Sequence, residues 1–480
     1  MSVHLLLLAL ASAACLILWL WIIRRWQRGL EAYLLYLPIG GAVQNLLYPA
    51  AWPVLIKDVA FAIPVYIGIA MSGEAARSLA AFPRYVAALV ALFAGIVAVQ
   101  AFNPSGTGML STLIGLKVWL FYLPMLFVGW CYVSDERNLL RLSRVMISLI
   151  WLPCLVGIAQ WLLSLAYGYE NTLRAFYGEG GVAATQGLST FDVGIIRIPS
   201  TFSFSAQYLN YILCMFVPVL GCGPLEKDLF WRRLRVVSIW LLCLAGFMTG
   251  ARAAFIFVPG MLACFYFLNR GVLGQLRSAL MVVLLFMVAI WLTGIDLQGL
   301  FQMEGELTRV YSRETAMGQL VDSFKLTWLG QGVGTGTGAA RFALEDPSIF
   351  TSFENFYAKT QTELGFPGLA VVAILQFTIV RWALRLHSAL ARGPLQAYCD
   401  AITSLLLVLM IYDFKGVILD FDPMNIAFWL FTGILFALPA IQPGFATQVW
   451  LSAEERGTGM WPHGVKPVQV AEAQRSPQSA

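Results

Sequence analysis

The sequence predicts an all-α, polytopic integral membrane protein, and two observations support this class. Of its 480 residues, 59% are hydrophobic and only 12% are charged, and the mean hydropathy is +0.75. Windows of about 20 apolar residues recur along the chain, enough to cross a hydrocarbon core of about 30 Å. Such segments must satisfy their backbone hydrogen bonds internally, so we expect helices. The composition excludes a soluble globular protein.

About 12–13 transmembrane helices are expected, because thirteen apolar segments recur. They lie at 3–23, 30–48, 54–72, 85–102, 113–133, 145–166, 201–222, 235–250, 253–269, 278–295, 364–383, 396–414 and 424–440. We interpret 1–440 as a single transmembrane domain. It includes a long polar segment, 296–362, which we expect to form a partly helical periplasmic loop subdomain. The tail, 441–480, holds few apolar runs and is expected to be disordered and cytoplasmic.

Basic residues occur in every second connection between the predicted spans. By the positive-inside rule, these basic connections are expected on the cytoplasmic side of the membrane. The basic connections carry Arg24, Arg25, Arg28, Arg77, Arg84, Arg137, Arg141, Arg144, Lys227, Arg232, Arg233, Arg235, Arg270, Arg277, Arg381, Arg385 and Arg392. The short alternate connections near 49–53 and 103–112 contain no Lys or Arg. This pattern predicts an external N-terminus, external loops at 167–200 and 296–362, and a cytoplasmic C-terminus.

Cysteine and histidine usage argues against several kinds of site. The eight cysteines lie in or beside predicted spans without a CxxC pair, so we interpret them as packing residues. The three histidines, His4, His387 and His463, lie away from the polar external segments. We therefore expect no metal, no cofactor and no Ser-His-Asp triad. The net charge of +5 follows from the orientation signals, so no nucleic-acid partner is expected.

Several arginines are predicted to meet at the outer membrane level. Arg252 lies in a short turn beside Gly250, and Arg197 precedes the span that begins at 201. Arg309 and Arg313 are four residues apart and would share one helix face. Guanidinium groups match phosphate oxygens in shape and stay charged, so these residues predict a phosphate or pyrophosphate site. Interfacial anchoring of Arg252 and loop salt bridges of Arg309 and Arg313 are the alternatives.

Two further patterns leave their roles open. The glycine-rich stretch 329–338 lacks the Gly-Lys-Ser/Thr ending of a nucleotide-binding loop, so it is better interpreted as a tight turn. Lys57-Asp58 and a charged group in the last external connection have either structural or cavity-facing roles. That group consists of Asp413, Lys415, Asp420 and Asp422.

The order of these motifs resembles that of a known family. Arg197 precedes Ser-Thr-Phe at the start of a span, a Gly-Ala-Arg turn follows, and then comes a long external loop. That loop contains Trp-Leu-Gly-x-Gly-Val-Gly and ends in Asn-x-Tyr and Glu-Leu-Gly-x-Pro-Gly. The ordered set, over about 195–383, resembles the O-antigen ligase and Wzy-type polysaccharide polymerase family of integral membrane glycosyltransferases.

The resemblance implies a reaction and its partners. A glycan would be transferred from an undecaprenyl-pyrophosphate-linked donor to a glycan or lipid-linked acceptor, on the periplasmic face of the bacterial inner membrane. The donor is already activated, so neither a nucleotide sugar nor a metal is needed. Membrane lipids and other polysaccharide assembly proteins are the remaining expected partners. A ligase for O-antigen, a transporter or flippase for lipid-linked sugars, and a structural partner of an assembly complex are the alternative functions.

The resemblance also implies roles for individual residues. Arg197 and Arg252 would bind the pyrophosphate and stabilise its charge as it leaves. Family ligases place a His where this chain has Glu354, so Glu354 is the candidate general base, and the departure favours a polymerase. We expect Phe353 and Phe356 to desolvate Glu354 partly. The candidate substrate-binding residues are Arg309, Arg313, Asn355, Tyr357 and Lys57.

The orientation is testable by cysteine accessibility. A Ser312→Cys variant places a thiol in the predicted external loop 296–362, where a membrane-impermeant reagent should label it from the periplasmic side. Labelling that requires access from the cytoplasm would contradict the orientation.

Overall fold

A computed structural model of the chain describes residues 3–50, 52–73, 79, 81–185, 196–269, 280, 287, 316–338, 353–390 and 393–442. Most of these residues are helical, and none of them forms a β-strand. The helices are α1 (Val3–Arg24), α2 (Trp26–Leu46), α3 (Pro53–Met71), α4 (Arg84–Gln100), α5 (Met109–Tyr132), α6 (Glu136–Tyr167), α7 (Tyr169–Thr185), α8 (Ser205–Gly221), α9 (Leu229–Met248), α10 (Ala254–Asn269), α11 (Ala316–Leu326), α12 (Phe356–Ala389), α13 (Pro394–Tyr412) and α14 (Met424–Ile441).

The predicted class, a helical polytopic membrane protein, agrees with this architecture. Six of the described helices are long and apolar enough to cross a membrane: α3, α5, α6, α12, α13 and α14. Twelve of the thirteen predicted spans coincide with described helices. The predicted span 278–295, apart from Leu280 and Met287, and the tail from 443 lie outside the described residues, as do 296–315 and 339–352 of the predicted loop.

Helical structure extends beyond the predicted spans. Helix α6 begins at Glu136 rather than 145, because the carboxylate of Asp135 accepts a hydrogen bond from the backbone N–H of Asn138 at 2.7 Å. The predicted external loop 167–200 contains helix α7, which follows α6 after Gly168 alone. Hydropathy detects only apolar windows, so it does not predict polar helical turns that lie outside them.

Ion pairs gather several of the basic connections at one end of the bundle, which we call the basic end. Arg141 of α6 lies 2.7 Å from Glu31 of α2. Arg144 donates two hydrogen bonds, of 2.8 and 2.7 Å, to the carboxylate of Glu226, in the connection between α8 and α9. These bonds hold the pKa of Glu226 below its ordinary value. Connections that are separate in sequence thus meet at the same end.

Cysteine packing follows the sequence interpretation. All eight cysteines lie in the described part of the chain, where no disulfide joins them, and six of them are buried. In an apolar bundle a buried thiol behaves as a small hydrophobic group.

Helix α12 is broken at Gly365, where the backbone adopts φ of +71°. The break frees the backbone carbonyls of Thr362 and Glu363 from the helical pattern. The preceding segment 327–337, which we call the glycine loop, supplies their partners: the N–H of Gln331 donates to Thr362 at 2.7 Å, and that of Gly332 to Glu363 at 3.2 Å. Irregular backbone inside a membrane protein is stable only when neighbouring protein groups satisfy it.

Three alternate glycines shape this loop. Gly330, Gly332 and Gly334 have φ of +92°, +97° and +93°, a region that side chains disfavour. A Cβ on Gly334 would also overlap the carbonyl oxygen of Ser111 in α5. The Gly-x-Gly-x-Gly pattern therefore arises from close packing against α5 and α12 of the protein itself, whereas the sequence predicted a turn that brings the backbone close to a ligand or to the membrane face.

A glycine-to-alanine pair tests this account. Gly334→Ala should lower the free energy of unfolding by about 1–3 kcal/mol from the unfavourable dihedral alone, with the overlap at Ser111 adding to it. Gly260→Ala in α10 is the matched control, because no atom lies within 4 Å of its added Cβ. The measurement is thermal unfolding of both variants in the same detergent. Equal stability of the two variants would contradict the packing.

Candidate functional site

A buried ion network lies among α3, α5 and the connection between α13 and α14. Lys57 Nζ lies 3.0 Å from Asp58, 2.8 Å from Asp422 and 2.6 Å from the Tyr122 hydroxyl. Lys117 completes it at 2.6 Å from the second oxygen of Asp58. Charges inside an apolar bundle are costly unless they are paired, so this network joins the three elements. We call it the Lys57 network.

Local helix geometry positions this network. Lys57 and Asp58 begin a π-helical turn, Lys57–Ala62, and Lys117 begins a second one, Lys117–Phe121. Such turns are rare in proteins, and those that occur often lie at functional sites, because the extra residue displaces the side chains from ordinary helical positions. The two π turns carry three of the network's charged groups.

A second network surrounds Lys359 of α12, whose side chain is fully buried. Its ammonium pairs with Asp420, lies 4.0 Å from Glu363 and stands 4.6 Å from the centre of the Trp119 ring. The Trp119 indole N–H donates to the second oxygen of Glu363 at 2.6 Å. We call this group the Lys359 network.

The glycine loop contributes to the Lys359 network. The backbone N–H of Gly336 and the hydroxyl of Thr337 donate to the first oxygen of Glu363 at 2.8 and 3.0 Å. Both oxygens of this buried carboxylate therefore accept hydrogen bonds from the protein. The arrangement fixes the loop, α5 and α12 to one another.

The connection between α13 and α14 directs three consecutive side chains to three elements. Asp420 reaches Lys359 of α12, Asp422 reaches Lys57 of α3, and Phe421 packs edge-on against Phe204 at 5.3 Å. Burial raises the pKa of Asp420 to about 6, with Lys359 opposing the shift. This connection thus contacts both networks and also residues 196–204, the segment before α8 that we call the Arg197 segment.

The backbone segments that carry Arg197 and Arg252 are neighbours. The N–H of Ile198 donates to the carbonyl of Thr249 at 3.1 Å. Gly250, with φ of +65°, lies against the backbone of Ile196 and Arg197, so that an added Cβ would be 3.1 Å from the Arg197 Cα. The absence of a side chain at Gly250 therefore allows the close approach of the Arg197 segment.

The Arg197 segment is rigidly held. Ser200 is buried and has φ of +52°, an uncommon backbone conformation for a residue other than glycine. Its carbonyl accepts hydrogen bonds from Gln160 at 3.3 Å and from the Tyr177 hydroxyl. Asn45 of α2 donates to the carbonyl of Phe202 at 3.2 Å. Residues in such conformations persist where the surroundings over-determine them, often at functional sites.

Three predicted site residues lie together at the start of α12. Asn355 is buried and caps the helix by accepting from the N–H of Ala358 at 3.0 Å. The Tyr357 hydroxyl donates to Gln376 at 3.0 Å. Glu354 pairs with Lys415 at the surface. Asn355 and Tyr357 thus both have structural partners, which the sequence interpretation did not include.

The predicted desolvation of Glu354 is wrong. Its side chain is 56% exposed, whereas Phe353 and Phe356 turn inward and are themselves buried. An exposed carboxylate keeps its hydration even when aromatic residues are its neighbours in sequence. Of the other candidates, Arg309 and Arg313 lie outside the described residues.

Sequence reasoning missed Lys117, Trp119 and Lys359. A signal for Lys117 was available, because a lysine within an apolar span marks a candidate functional position. Lys359 and Glu363 stand four residues apart, the spacing of a helical ion pair, but their burial depends on tertiary packing. Among the described residues, no group of three His, Cys, Asp or Glu side chains is arranged to hold a metal ion.

Comparison with known proteins does not identify a family for this chain. No protein-family model matches the chain, and no curated protein is similar enough to match it. The fold is that of a helical protein with several helices long and apolar enough to cross a membrane, and its described residues contain two buried ion networks.

Replacement of Lys359 tests the second network. Lys359→Met removes the cation between Asp420 and Glu363 and should lower the free energy of unfolding by about 3–5 kcal/mol, because it leaves buried carboxylates without their counter-charge. Lys325→Met is the matched control. It breaks an exposed pair with Asp322 and should cost no more than about 1 kcal/mol. Denaturant unfolding in detergent measures the free energy of unfolding of both variants. A loss for Lys359→Met no larger than that for Lys325→Met would show that the buried network is not stabilising.

Proposed function

We propose that the protein is a membrane glycosyltransferase of the bacterial inner membrane, with about 12–13 transmembrane helices and a site facing the periplasm. It polymerises undecaprenyl-pyrophosphate-linked glycan units for exopolysaccharide or O-antigen assembly, or transfers them to a lipid acceptor as a ligase does. The ordered motifs that resemble the polymerase and ligase family suggest this reaction.

The observation that carries the proposal is the contact between the Arg197 segment and the turn before Arg252. Two arginines 55 positions apart in sequence stand on adjoining backbone segments, joined at Ile198 and Thr249. Two guanidinium groups can bind the oxygens of one pyrophosphate through charge-assisted hydrogen bonds. Fixed cations also stabilise the negative charge that develops as a pyrophosphate leaves, without reorganising.

The charges on these adjoining segments suit an anionic substrate. Arg197 and Arg252 bring two positive charges to them, while the lysine charges of the two networks are balanced by Asp58, Asp422 and Asp420. An anionic head group is therefore favoured near the arginines. The acceptor hydroxyl attacks the anomeric carbon and gives its proton to Glu354, while the bond to the pyrophosphate breaks with its electron pair going to the phosphate oxygen.

Transfer by arginine variants tests the proposal. Purified protein supplied with lipid-pyrophosphate-linked repeat units, and with no nucleotide sugar, should produce longer glycans. Arg252→Ala should abolish transfer, and Arg252→Lys should reduce it at least about tenfold, because an ammonium cannot make the planar, two-pronged contact with phosphate. Arg174→Lys, in an exposed pair with Glu179, is the control. Wild-type product lengths from Arg252→Ala at equal protein levels would exclude a pyrophosphate role for this residue.

Variants of each partner in the Glu354–Lys415 ion pair test the role of Glu354 as a base. Glu354→Gln should retain the fold and donor binding but lose most transfer, because the amide cannot accept the acceptor proton. Glu354→His should retain part of the activity. Lys415→Gln breaks the same pair while preserving the carboxylate, so it should still transfer glycan. Glycan length from a defined donor is the measurement. If Glu354→Gln works at the wild-type rate, this carboxylate is not the base.

A further inference from the structure

An open groove of about 400 Å³ lies at the basic end, where α1, α2 and α6 meet. It contains none of the residues assigned to the proposed transfer reaction. Ligand sites in proteins have volumes of about 300–1,000 Å³, so this groove is large enough to hold a small molecule or one end of a larger one. The residues that line it include Trp21, Arg25, Arg28, Glu31, Leu35 and Val145.

Polarity changes along this groove. Arg28, Ala32 and Leu35 have the spacing of one helix face on α2. Leu35 lies about 10 Å beyond Arg28 along the helix axis, because each residue adds about 1.5 Å. Leu35 is 53% exposed, and Trp21, in the last turn of α1, is 40% exposed, although both belong to predicted membrane spans. One end of the groove is therefore cationic, and the other is apolar.

The cationic end carries more positive charge than its carboxylate balances. Glu31 accepts hydrogen bonds from Arg141 at 2.7 Å and from the Tyr132 hydroxyl at 2.8 Å, whereas Arg28 donates to it only at 3.4 Å. The Arg28 side chain is 58% exposed. Arg25 is exposed and forms no ion pair within the part of the chain that the structure describes. Three arginines thus share one carboxylate, which favours an anion in the groove.

The two ends together restrict the occupant. A phosphate group can accept charge-assisted hydrogen bonds from the guanidinium groups of Arg25 and Arg28. A free phosphate would leave the apolar end uncovered, and a neutral lipid would leave the arginines without a counter-charge. A soluble protein or nucleic acid could reach the arginines but not Leu35, which lies within a predicted span. A molecule with a phosphate head and hydrocarbon chains meets both requirements.

The predicted orientation places such a molecule in the cytoplasmic leaflet. By the positive-inside rule, the basic end faces the cytoplasm, and tryptophan side chains such as Trp21 favour the level of the lipid head groups. Basic pockets between transmembrane helices on this side of a membrane bind the head groups of anionic lipids.

We propose that this groove binds one anionic phospholipid, with its phosphate at Arg25 and Arg28 and an acyl chain along Trp21 and Leu35. The site is independent of the proposed glycosyl transfer, so neither proposal depends on the other.

Lipid binding by charge variants is the first test. Native mass spectrometry of the full chain in detergent would measure binding of phosphatidylglycerol and of phosphatidylcholine with identical acyl chains. The wild-type protein should bind its first phosphatidylglycerol at least about tenfold more tightly than phosphatidylcholine. The double variant Arg25→Gln/Arg28→Gln should weaken phosphatidylglycerol binding about thirtyfold, because two charges beside the phosphate are lost, and should leave phosphatidylcholine binding unchanged.

A matched control separates the groove from the charge of the whole protein. Arg232→Gln/Arg233→Gln removes two exposed charges from the first turn of α9, outside the groove, and should leave both affinities unchanged. Arg25→Gln alone breaks no ion pair of the described residues and should weaken phosphatidylglycerol binding about fivefold, which keeps the test valid if the double variant does not fold. Equal losses in the two double variants would overturn the proposal, as would a wild-type protein that does not distinguish the two lipids.

The apolar end distinguishes a lipid from a soluble phosphate ester. Leu35→Ser should weaken phosphatidylglycerol binding about threefold, because part of the contact with the acyl chain is lost. Glycerol phosphate, at an equal concentration and constant ionic strength, should not displace the lipid. Displacement by glycerol phosphate, or an unchanged affinity of Leu35→Ser, would show that the groove does not hold an acyl chain and would overturn the assignment to a lipid.

Discussion

The structure depends on the requirement that a buried charge in an apolar bundle be compensated where it lies. Lys359 is fully buried, and its charge is balanced by Asp420 and Glu363, which come from a connection and from its own helix. Glu363 in turn holds Trp119 of α5 and the end of the glycine loop. One cation thus determines how α5, α12 and the connection before α14 fit together.

The connection between α13 and α14 is anchored in both ion networks. Asp420 pairs with Lys359 of α12 and Asp422 pairs with Lys57 of α3, and Phe421 between them packs against Phe204 of the segment that carries Arg197. Three neighbouring residues of one connection therefore tie α3, α12 and the start of α8 together. Because both carboxylates are paired, the position of this connection is fixed relative to the proposed arginine site.

Sequence alone predicted the helical class and the approximate positions of the described spans. It succeeded there because long apolar windows reflect the thickness of a bilayer. The sequence did not predict the ion pair between Lys359 and Asp420, which are 61 residues apart, because no local pattern indicates a contact over that distance. It also misjudged Glu354, since neighbours in sequence do not determine which side of a turn faces water.

The broken helix α12 has a consequence for biogenesis. Its carbonyls at Thr362 and Glu363 are satisfied by Gln331 and Gly332, which belong to the glycine loop earlier in the chain. An apolar segment with unsatisfied backbone groups partitions poorly into lipid, so the part of α12 before Gly365 depends on the glycine loop to enter the membrane. Because the ribosome makes the glycine loop first, the partner is already available when α12 leaves the translocon. The order of the segments along the chain therefore suits their assembly in the membrane.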